Sequence, residues 1–244
     1  MLEGMYTAAA GMAAQQDRLD AVAGDLANVN TTGYKHARLA FRDLVYAKGG
    51  HGQANVSLGA GAATTSLARG SAQGALHDTG EPLDVAIEGP GFIAVRTAGG
   101  KPALTRDGEL RLDDQGRLTT SSGELLDPPI SAPRGTQPQD IAIARDGTVS
   151  AAGRKLGTIR IVTVAAPGGL AGADNNLFLP TAASGAAVAA PRTTRLAQGS
   201  LEASNVDLSE AMTSMIEAQR GFELASKAIE VQDQMLQIAN QVKR

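Results

Sequence analysis

Histidine and cysteine, two residue types that often carry catalysis or bind metal ions, are scarce in this chain of 244 residues. Its three histidines, His36, His51 and His77, are isolated from each other, and none has the spacing of a metal-binding H-E-x-x-H motif. The chain has no cysteine, which excludes disulfide bonds, thiol catalysis and cysteine-based zinc sites. We therefore expect no metal site and no cofactor.

The sequence also gives no good evidence for catalysis by a serine hydroxyl or by a pair of carboxylates. In the stretch 70–74 (GSAQG) the serine stands one place too early for the nucleophile elbow G-x-S-x-G. Asp113 and Asp114 are adjacent, so their side chains point apart on a strand or turn, and a solvated hairpin tip explains the pair. The run 59–61 (GAG) lacks the third glycine and the following helix of a dinucleotide-binding motif. These patterns predict that the chain is not an enzyme.

Charge and hydropathy narrow the remaining classes of function. The formal net charge is −3, which gives no electrostatic argument for a nucleic-acid partner. No apolar run approaches the roughly 18 residues that a membrane-spanning helix needs, so no membrane insertion is expected. Residues 1–14 are apolar, but Glu3 stands where a signal peptide carries basic residues. If the protein is exported, we expect export without cleavage of a signal peptide.

The strongest sequence pattern lies at the C-terminal end. The stretch 204–244 contains no proline and a single glycine, Gly221. Large residues recur there every seven positions, and each is followed three positions later by a small or polar residue, which is the heptad seam of a coiled coil. Asp207 can cap the first turn of this helix. The large seam residues are Leu208, Met215, Phe222, Ile229 and Leu236.

The N-terminal stretch carries a similar seam, although Gly4, Gly11 and Gly24 each weaken a helix by about 1 kcal/mol relative to alanine. Two helices with such seams at opposite ends predict that the termini meet, with the rest of the chain inserted between them. Two amphipathic helices on one globular core are the alternative interpretation. The N-terminal seam residues are Met5, Met12, Leu19, Val22 and Leu26.

Between the helices the sequence predicts a linker and a β domain. Residues 47–63 have the glycine-rich composition of a flexible linker. From Leu76 to Val164, short alternating stretches are separated by Asp-Gly and similar turn signals, which indicates antiparallel strands. We therefore predict an α+β fold with an inserted, mainly antiparallel β domain. The terminal helices form a coiled-coil layer over 1–35 and 204–244. An extended, glycine-rich linker region covers 36–75, and the β domain covers 76–203.

Two long motifs lie near the ends of the chain, at residues 27–35 (ANVNTTGYK) and residues 198–208 (QGSLEASNVDL). The first resembles the N-terminal signature of bacterial flagellar rod and hook proteins, and the second resembles another signature of that family. Between them, residues 73–92 and 105–118 are similar to the start of the family's β domain. The signature residues that this resemblance singles out are Asn28, Thr31, Gly33, Tyr34, Lys35, Ser204 and Asn205.

The resemblance implies a structural subunit of the flagellar basal-body rod, whose terminal helices bundle with those of neighbouring copies into a tube. The implied partners are further copies of the chain, neighbouring rod and hook proteins, the flagellar type III export apparatus and the ring proteins around the rod. Residues 5–16 and 233–236 favour the distal rod proteins over the proximal rod proteins of similar length. A secreted hydrolase or carbohydrate-binding β module is the alternative from a different class, and it needs a convergent polar cleft.

Phe41 and Val45 form a candidate site for export. The stretch 41–45 (FRDLV) resembles the phenylalanine-plus-four hydrophobic motif by which rod and hook subunits engage the export gate. A strand that packs these side chains on a core is the alternative interpretation. The two are compatible, because export takes place on the unfolded chain.

Overall fold

A computed structural model of the chain describes residues 2–45, 59–97 and 99–242. These residues form two compact units. A helical unit comprises Met1–Ala27, Ala37–Leu67 and Asp207–Arg244, and a β unit comprises Asn28–His36 and Ala68–Val206. Long helices near both ends of the chain, with antiparallel strands between them in sequence, confirm the predicted α+β fold.

The helical unit is built on two long helices, α1 (Leu2–Ala27) and α2 (Leu208–Val242). Near the start of α1, Gly4 lies against Gln232 of α2. Nearer its end, Arg18 forms a 2.8 Å ion pair with Glu217. The contact residue with the lower number on α1 (Gly4) meets the one with the higher number on α2 (Gln232). The two helices therefore run antiparallel. The two ends of the chain therefore meet within one unit.

Asp207 caps the first turn of α2. Its Oδ1 accepts hydrogen bonds from the backbone N–H groups of Ser209 at 2.8 Å and Glu210 at 3.0 Å. These N–H groups have no acceptor within the helix itself, and a cap of this kind stabilises a helix by about 1 kcal/mol. The structure confirms the cap predicted for Asp207.

Two paired strands also belong largely to the helical unit, β1 (Ala37–Val45) and β2 (Gly59–Arg69). At the start of β1, the N–H of Ala37 donates to the Asp25 carboxylate of α1 over 3.0 Å. The region 36–75, predicted as a linker, therefore contains two strands. Local composition does not reveal them, because strand pairing joins residues that are distant in the sequence. The centre of the predicted linker, residues 46–58, lies outside the described part of the chain.

Every strand pairing described within the β unit is antiparallel. Short turns connect most of the strands, in agreement with the turn signals in the sequence. The strands are β3 (Leu76–Asp78), β4 (Val85–Glu88), β5 (Phe92–Arg96), β6 (Pro102–Thr105), β7 (Leu110–Leu112), β8 (Leu118–Thr120), β9 (Leu125–Leu126), β10 (Ile141–Ile143), β11 (Thr148–Ala151), β12 (Arg154–Thr158), β13 (Ile161–Thr163), β14 (Ala171–Ala173), β15 (Leu177–Leu179), β16 (Val188–Ala189), β17 (Arg195–Gln198) and β18 (Ser200–Glu202).

The largest sheet has the order β14-β15-β6-β5-β9-β8-β7, with β13 paired to β5 and β16 paired to β13. A separate sheet has the order β10-β11-β12. The last strands of the β unit pair with its first ones: β17 pairs with β4, and β18 pairs with β3. The main apolar core includes Ile87, Leu118 and Leu196, and a smaller one contains Phe92 and Phe178. The β unit is therefore complete only when the residues near position 200 are in place.

Candidate assembly site

The N-terminal signature, residues 28–36, is a loop within the β unit. It turns at Gly33, whose φ of 64° lies in the left-handed region that favours glycine. A Cβ atom here would lie 2.5 Å from the backbone carbonyl of Arg106. Gly33 also donates its N–H to the carbonyl of Glu202 over 2.7 Å. Both the turn and the close approach require glycine.

Two buried cations share one buried carboxylate beside this loop. Glu202 is 2% exposed. Its carboxylate accepts a hydrogen bond from Nζ of Lys35 at 2.5 Å and another from Nη1 of Arg106 at 2.7 Å. The backbone N–H of Gly74 donates to the same carboxylate over 2.8 Å. Lys35 and Arg106 are 3% and 5% exposed, so all three charges lie away from water. We call these three residues the Glu202 network.

Two further hydrogen bonds of the Glu202 network go to backbone carbonyls, whereas the buried Nε of Arg106 has no hydrogen-bond partner in the described part of the chain. Nζ of Lys35 also donates to Ala72 at 2.7 Å, and Nη2 of Arg106 donates to Gly89 at 2.8 Å. Desolvation by burial lowers the pKa of Lys35, and the hydrogen bond and charge of Glu202 oppose this shift. Desolvation is the largest cause, and the nearby charge of Arg106 acts in the same direction.

Asn205 of the second signature bonds directly to the first signature. Its Oδ1 accepts the N–H of His36 at 2.8 Å, and its own N–H donates to the carbonyl of Tyr34 at 3.3 Å. Ser204 orders the following turn, because its Oγ accepts the N–H of Val206 at 3.3 Å. The two signatures, far apart in the sequence, are therefore joined by hydrogen bonds in the fold.

The remaining signature residues stabilise the loop. The Thr31 hydroxyl donates to Oδ1 of Asn28 at 3.1 Å. Tyr34 is buried, and the guanidinium of Arg69 lies 5.4 Å from the centre of its ring. The predicted boundary after residue 35 differs from the observed one, because this loop bonds to strands that come much later in the chain. The signature residues thus lie in this loop or in the segment around Asn205 that bonds to it.

On α2, the small members of the predicted seam are the most buried. Ala211 is 9% exposed and Ala218 is fully buried, next to the Glu217 that pairs with α1. Met215, Ile229 and Leu236 are half-buried, whereas Phe222 and Leu208 are 36% and 48% exposed. The small residues therefore set the face of α2 that meets α1, and some of the large ones lie at its edge.

On α1, close approach of the two helices occurs at small residues. Ala14, which the seven-residue pattern did not select, is 2% exposed. Gly4 lies against Gln232, and Gly221 of α2 lies against Gln15, so the interface uses glycine where the helices come close. The predicted seam residues of α1 are all half-buried: Met5, Met12, Leu19, Val22 and Leu26.

An open groove of about 550 Å³ lies beside the signature loop and is lined mainly by polar side chains. Its buried carboxylate, Asp107, already accepts hydrogen bonds from the Thr32 and Ser121 hydroxyls and from the N–H of Glu109. Among the residues that the structure describes, no three potential metal ligands from His, Cys, Asp or Glu cluster together. None of the described helices is long and apolar enough to cross a membrane.

Three family models match stretches of the chain. The family described as flagella basal body rod protein matches residues 5–35. The flagellar hook protein FlgE/F/G D1 domain matches residues 86–151, and the flagellar basal body rod FlgEFG protein C-terminal family matches residues 197–242. The flagellar basal-body rod protein FlgG of Borreliella burgdorferi is 39% identical over 266 aligned positions, which cover 100% of both chains. The chain belongs to the flagellar basal-body rod protein family.

Other rod proteins are similar over their full length. The FlgG proteins of Caulobacter vibrioides and Bacillus subtilis are 36% and 37% identical, over 99% and 100% of this chain and 100% of each relative. The hook protein FlgE of Helicobacter mustelae is 38% identical over 52% of this chain and 30% of its own length. Rod proteins are structural subunits, which confirms the prediction that the chain is not an enzyme. The hydrolase or carbohydrate-binding alternative has no support among these relatives.

Removing the anion of the Glu202 network should destabilise the rod protein. Glu202→Gln keeps the shape of the side chain but leaves two buried cations unpaired, so we expect the free energy of unfolding to fall by about 3–5 kcal/mol. Adding Lys35→Met removes one of these cations and should restore part of the loss, since the two sites are coupled. Urea unfolding of the full chain, followed by circular dichroism, measures both effects.

The control for this experiment is Glu109→Gln. Glu109 pairs with Arg111 at 2.6 Å, but the Arg111 side chain is 65% exposed, so water replaces the lost contact. Glu109→Gln should leave the unfolding curve nearly unchanged. Equal effects of Glu202→Gln and Glu109→Gln would show that burial of the network does not matter for stability.

A second prediction concerns a buried amide between α1 and α2. Oε1 of Gln232 is buried and has no hydrogen-bond partner in the described part of the chain. An unpaired buried acceptor costs about 1–3 kcal/mol, so Gln232→Leu should raise the stability of the helix pair by an amount of that order. Thermal unfolding followed by the helical circular dichroism signal tests this. Gln234→Leu, at an exposed position two residues away, should have little effect; a loss of stability in Gln232→Leu would show that the amide is paired in solution.

Proposed function

We propose that this rod protein is the distal rod subunit and that it polymerises through its terminal helices into a tube that transmits torque from motor to hook. The observation that best supports this proposal is that FlgG proteins match over the full length of both chains. The hook protein, in contrast, matches only about half of this chain. The distal position, rather than the proximal one, is supported by the resemblance of residues 5–16 and 233–236. The proposed partners are further copies, neighbouring rod and hook proteins, and the rings around the rod.

The antiparallel pair of α1 and α2 suits a subunit that carries load. Small seam residues such as Ala218 lie at the contact between the two helices, so the pair presents a fixed set of outer faces to other copies. If two different faces of the subunit bind each other, the contact repeats from copy to copy, and this produces a helical filament rather than a closed ring or dimer. We propose that the seams contribute to self-association by keeping this pair rigid.

The position within the rod can be tested directly. An epitope tag on the protein should be visible by immunogold electron microscopy in purified basal bodies, at the end of the rod that adjoins the hook. Label at the motor end would instead assign the protein to the proximal rod. Absence of label from basal bodies that contain intact rods would reject a rod function.

The seam prediction is tested by Ile229→Asp. Ile229 is half-buried on α2, and burying an unpaired carboxylate there costs several kcal/mol, so the helix pair should loosen and rod assembly should fail. Cells carrying this variant should be non-motile and lack rods in electron micrographs of their basal bodies. Glu230→Ala, at the next, exposed position, should leave motility normal. Intact rods in the Ile229→Asp strain would contradict the proposed role of the seam.

We also propose that Phe41 and Val45 engage the export gate in the unfolded chain. Phe41 lies in β1 and is 44% exposed, so its loss should affect folding little; the Val45 side chain lies outside the described part of the structure. Phe41→Ala combined with Val45→Ala should abolish secretion into the medium or the growing rod, while the purified protein keeps its circular dichroism spectrum. Arg42→Ala with Asp43→Ala, between the two positions, is the control and should be secreted normally. Normal secretion of the first double variant would assign these side chains to the fold alone.

A further inference from the structure

The strands that complete the β unit come late in the sequence. β3 and β4 are its first strands, and in the described structure they form two-stranded sheets with β18 and β17. β4 is buried, since Val85, Ala86 and Ile87 are each 1% exposed. Without β17, the backbone groups of β4 that face it would be buried and unpaired, which disfavours folding. We call residues 195–205, which contain β17 and β18, the closing segment.

One side chain of the closing segment joins two distant parts of the β unit. Oε1 of Gln198 accepts the N–H of Ile143 in β10 at 2.9 Å. Its Nε2 donates to the carbonyl of Ile141 in the same strand at 2.8 Å and to the carbonyl of Pro82, before β4, at 2.6 Å. Leu196, which is 1% exposed, belongs to the main apolar core. A β unit without the closing segment lacks these hydrogen bonds and has a gap in its core.

The charges make an incomplete β unit still less favourable. Lys35 and Arg106 are buried, and both form ion pairs with Glu202 of the closing segment. A native-like arrangement formed before Glu202 arrives would bury both cations without their anion, which strongly destabilises a fold. Strand pairing, core packing and charge therefore all require the closing segment.

The order of the chain delays the closing segment during synthesis. Helix α2 follows it and contains 35 residues. The ribosome exit tunnel hides the most recently added part of a growing chain, a stretch comparable in length with α2. The closing segment therefore stays inside the tunnel while α2 is being made. If α2 becomes helical there, it is shorter than an extended chain and keeps the closing segment deeper in the tunnel.

This delay is long compared with the folding of a small β domain. At about 5–20 residues per second, synthesis of α2 takes roughly 2–7 s. Domains rich in antiparallel sheet fold within milliseconds to seconds. A β unit that did not need the closing segment would therefore have time to fold on the ribosome before α2 is finished.

We infer that the β unit stays unfolded on the ribosome until α2 has been made, because its closing segment is still hidden. The helical unit waits for the same reason, since α1 packs on α2. Phe41 belongs to the helical unit, so it lies in an open chain throughout this period. Its availability for export rests on the proposed export function, whereas the order of folding does not.

A single cysteine can report closure, because the chain has no native cysteine. Val149→Cys and Ala103→Cys each place a thiol at a buried site, the first in the β10-β11-β12 sheet and the second in the largest sheet. Each is first checked in the released chain, where it should be protected. Nascent chains are then stalled at Lys227, within α2, or after the full chain and a flexible linker longer than the tunnel. The rate of labelling by a polyethylene glycol maleimide is measured as a gel shift.

At the Lys227 stall, both thiols should react as fast as Asp114→Cys, which lies at an exposed position in a turn. After the linker, both should react at least tenfold more slowly than Asp114→Cys. Slow reaction of either reporter at the Lys227 stall would overturn the inference, because its sheet would then form without the closing segment. Fast reaction after the linker of a reporter that is protected in the released chain would overturn it as well.

The variant Glu202→Gln separates closure from chain length. In the chain with the linker it leaves two buried cations without their anion, so Val149→Cys should react at least tenfold faster than with the native Glu202. Glu109→Gln, which removes an ion pair to the exposed Arg111, is the control and should leave the rate unchanged. Equal rates in the two variants would show that Glu202 does not complete the β unit. None of these readouts depends on secretion, so failure of the export proposal would leave the order of folding unaffected.

Discussion

The β unit depends on one buried carboxylate. The Glu202 carboxylate accepts hydrogen bonds from the side chains of Lys35 and Arg106 and from the backbone N–H of Gly74. These donors lie 167, 96 and 128 positions away in the sequence, respectively. A buried ion pair adds little net stability, because desolvation offsets the attraction, but an arrangement that leaves any of these charges unpaired is strongly disfavoured. Apolar cores such as the one around Leu118 supply the stability. The Glu202 network instead selects the one arrangement in which both signatures reach the same carboxylate.

The sequence predicted the features that rest on local pattern. The two helices and the cap at Asp207 follow from spacing or residue type within a few turns of chain. The Glu202 network could not be predicted in this way. Lys35 and Glu202 are residue types that usually lie on the surface, and nothing near either of them in the sequence identifies its distant partner. For the same reason the sequence did not reveal that β1 pairs with β2.

The helix pair shows why a heptad pattern identifies a surface without identifying its partner. Large residues recur on more than one face of α2, so the seven-residue interval alone cannot say which face meets α1. The structure shows that small residues decide it, since Ala211, Ala218 and Gly221 lie where the helices approach most closely. Large residues such as Leu224 need not fit into that narrow space and are left facing solvent.

Pairing within one chain also changes what assembly requires. Helix α1 contains three glycines and would be marginal alone, but in the pair α2 holds it in place, so another copy can bind helices that are already ordered. The exposed apolar side chains that remain are a risk for the free subunit, because such surfaces aggregate without regard to geometry. The exposed Gln16 and Asp20 side chains of α1, which are hydrogen bonded to each other, interrupt its apolar surface and reduce this risk.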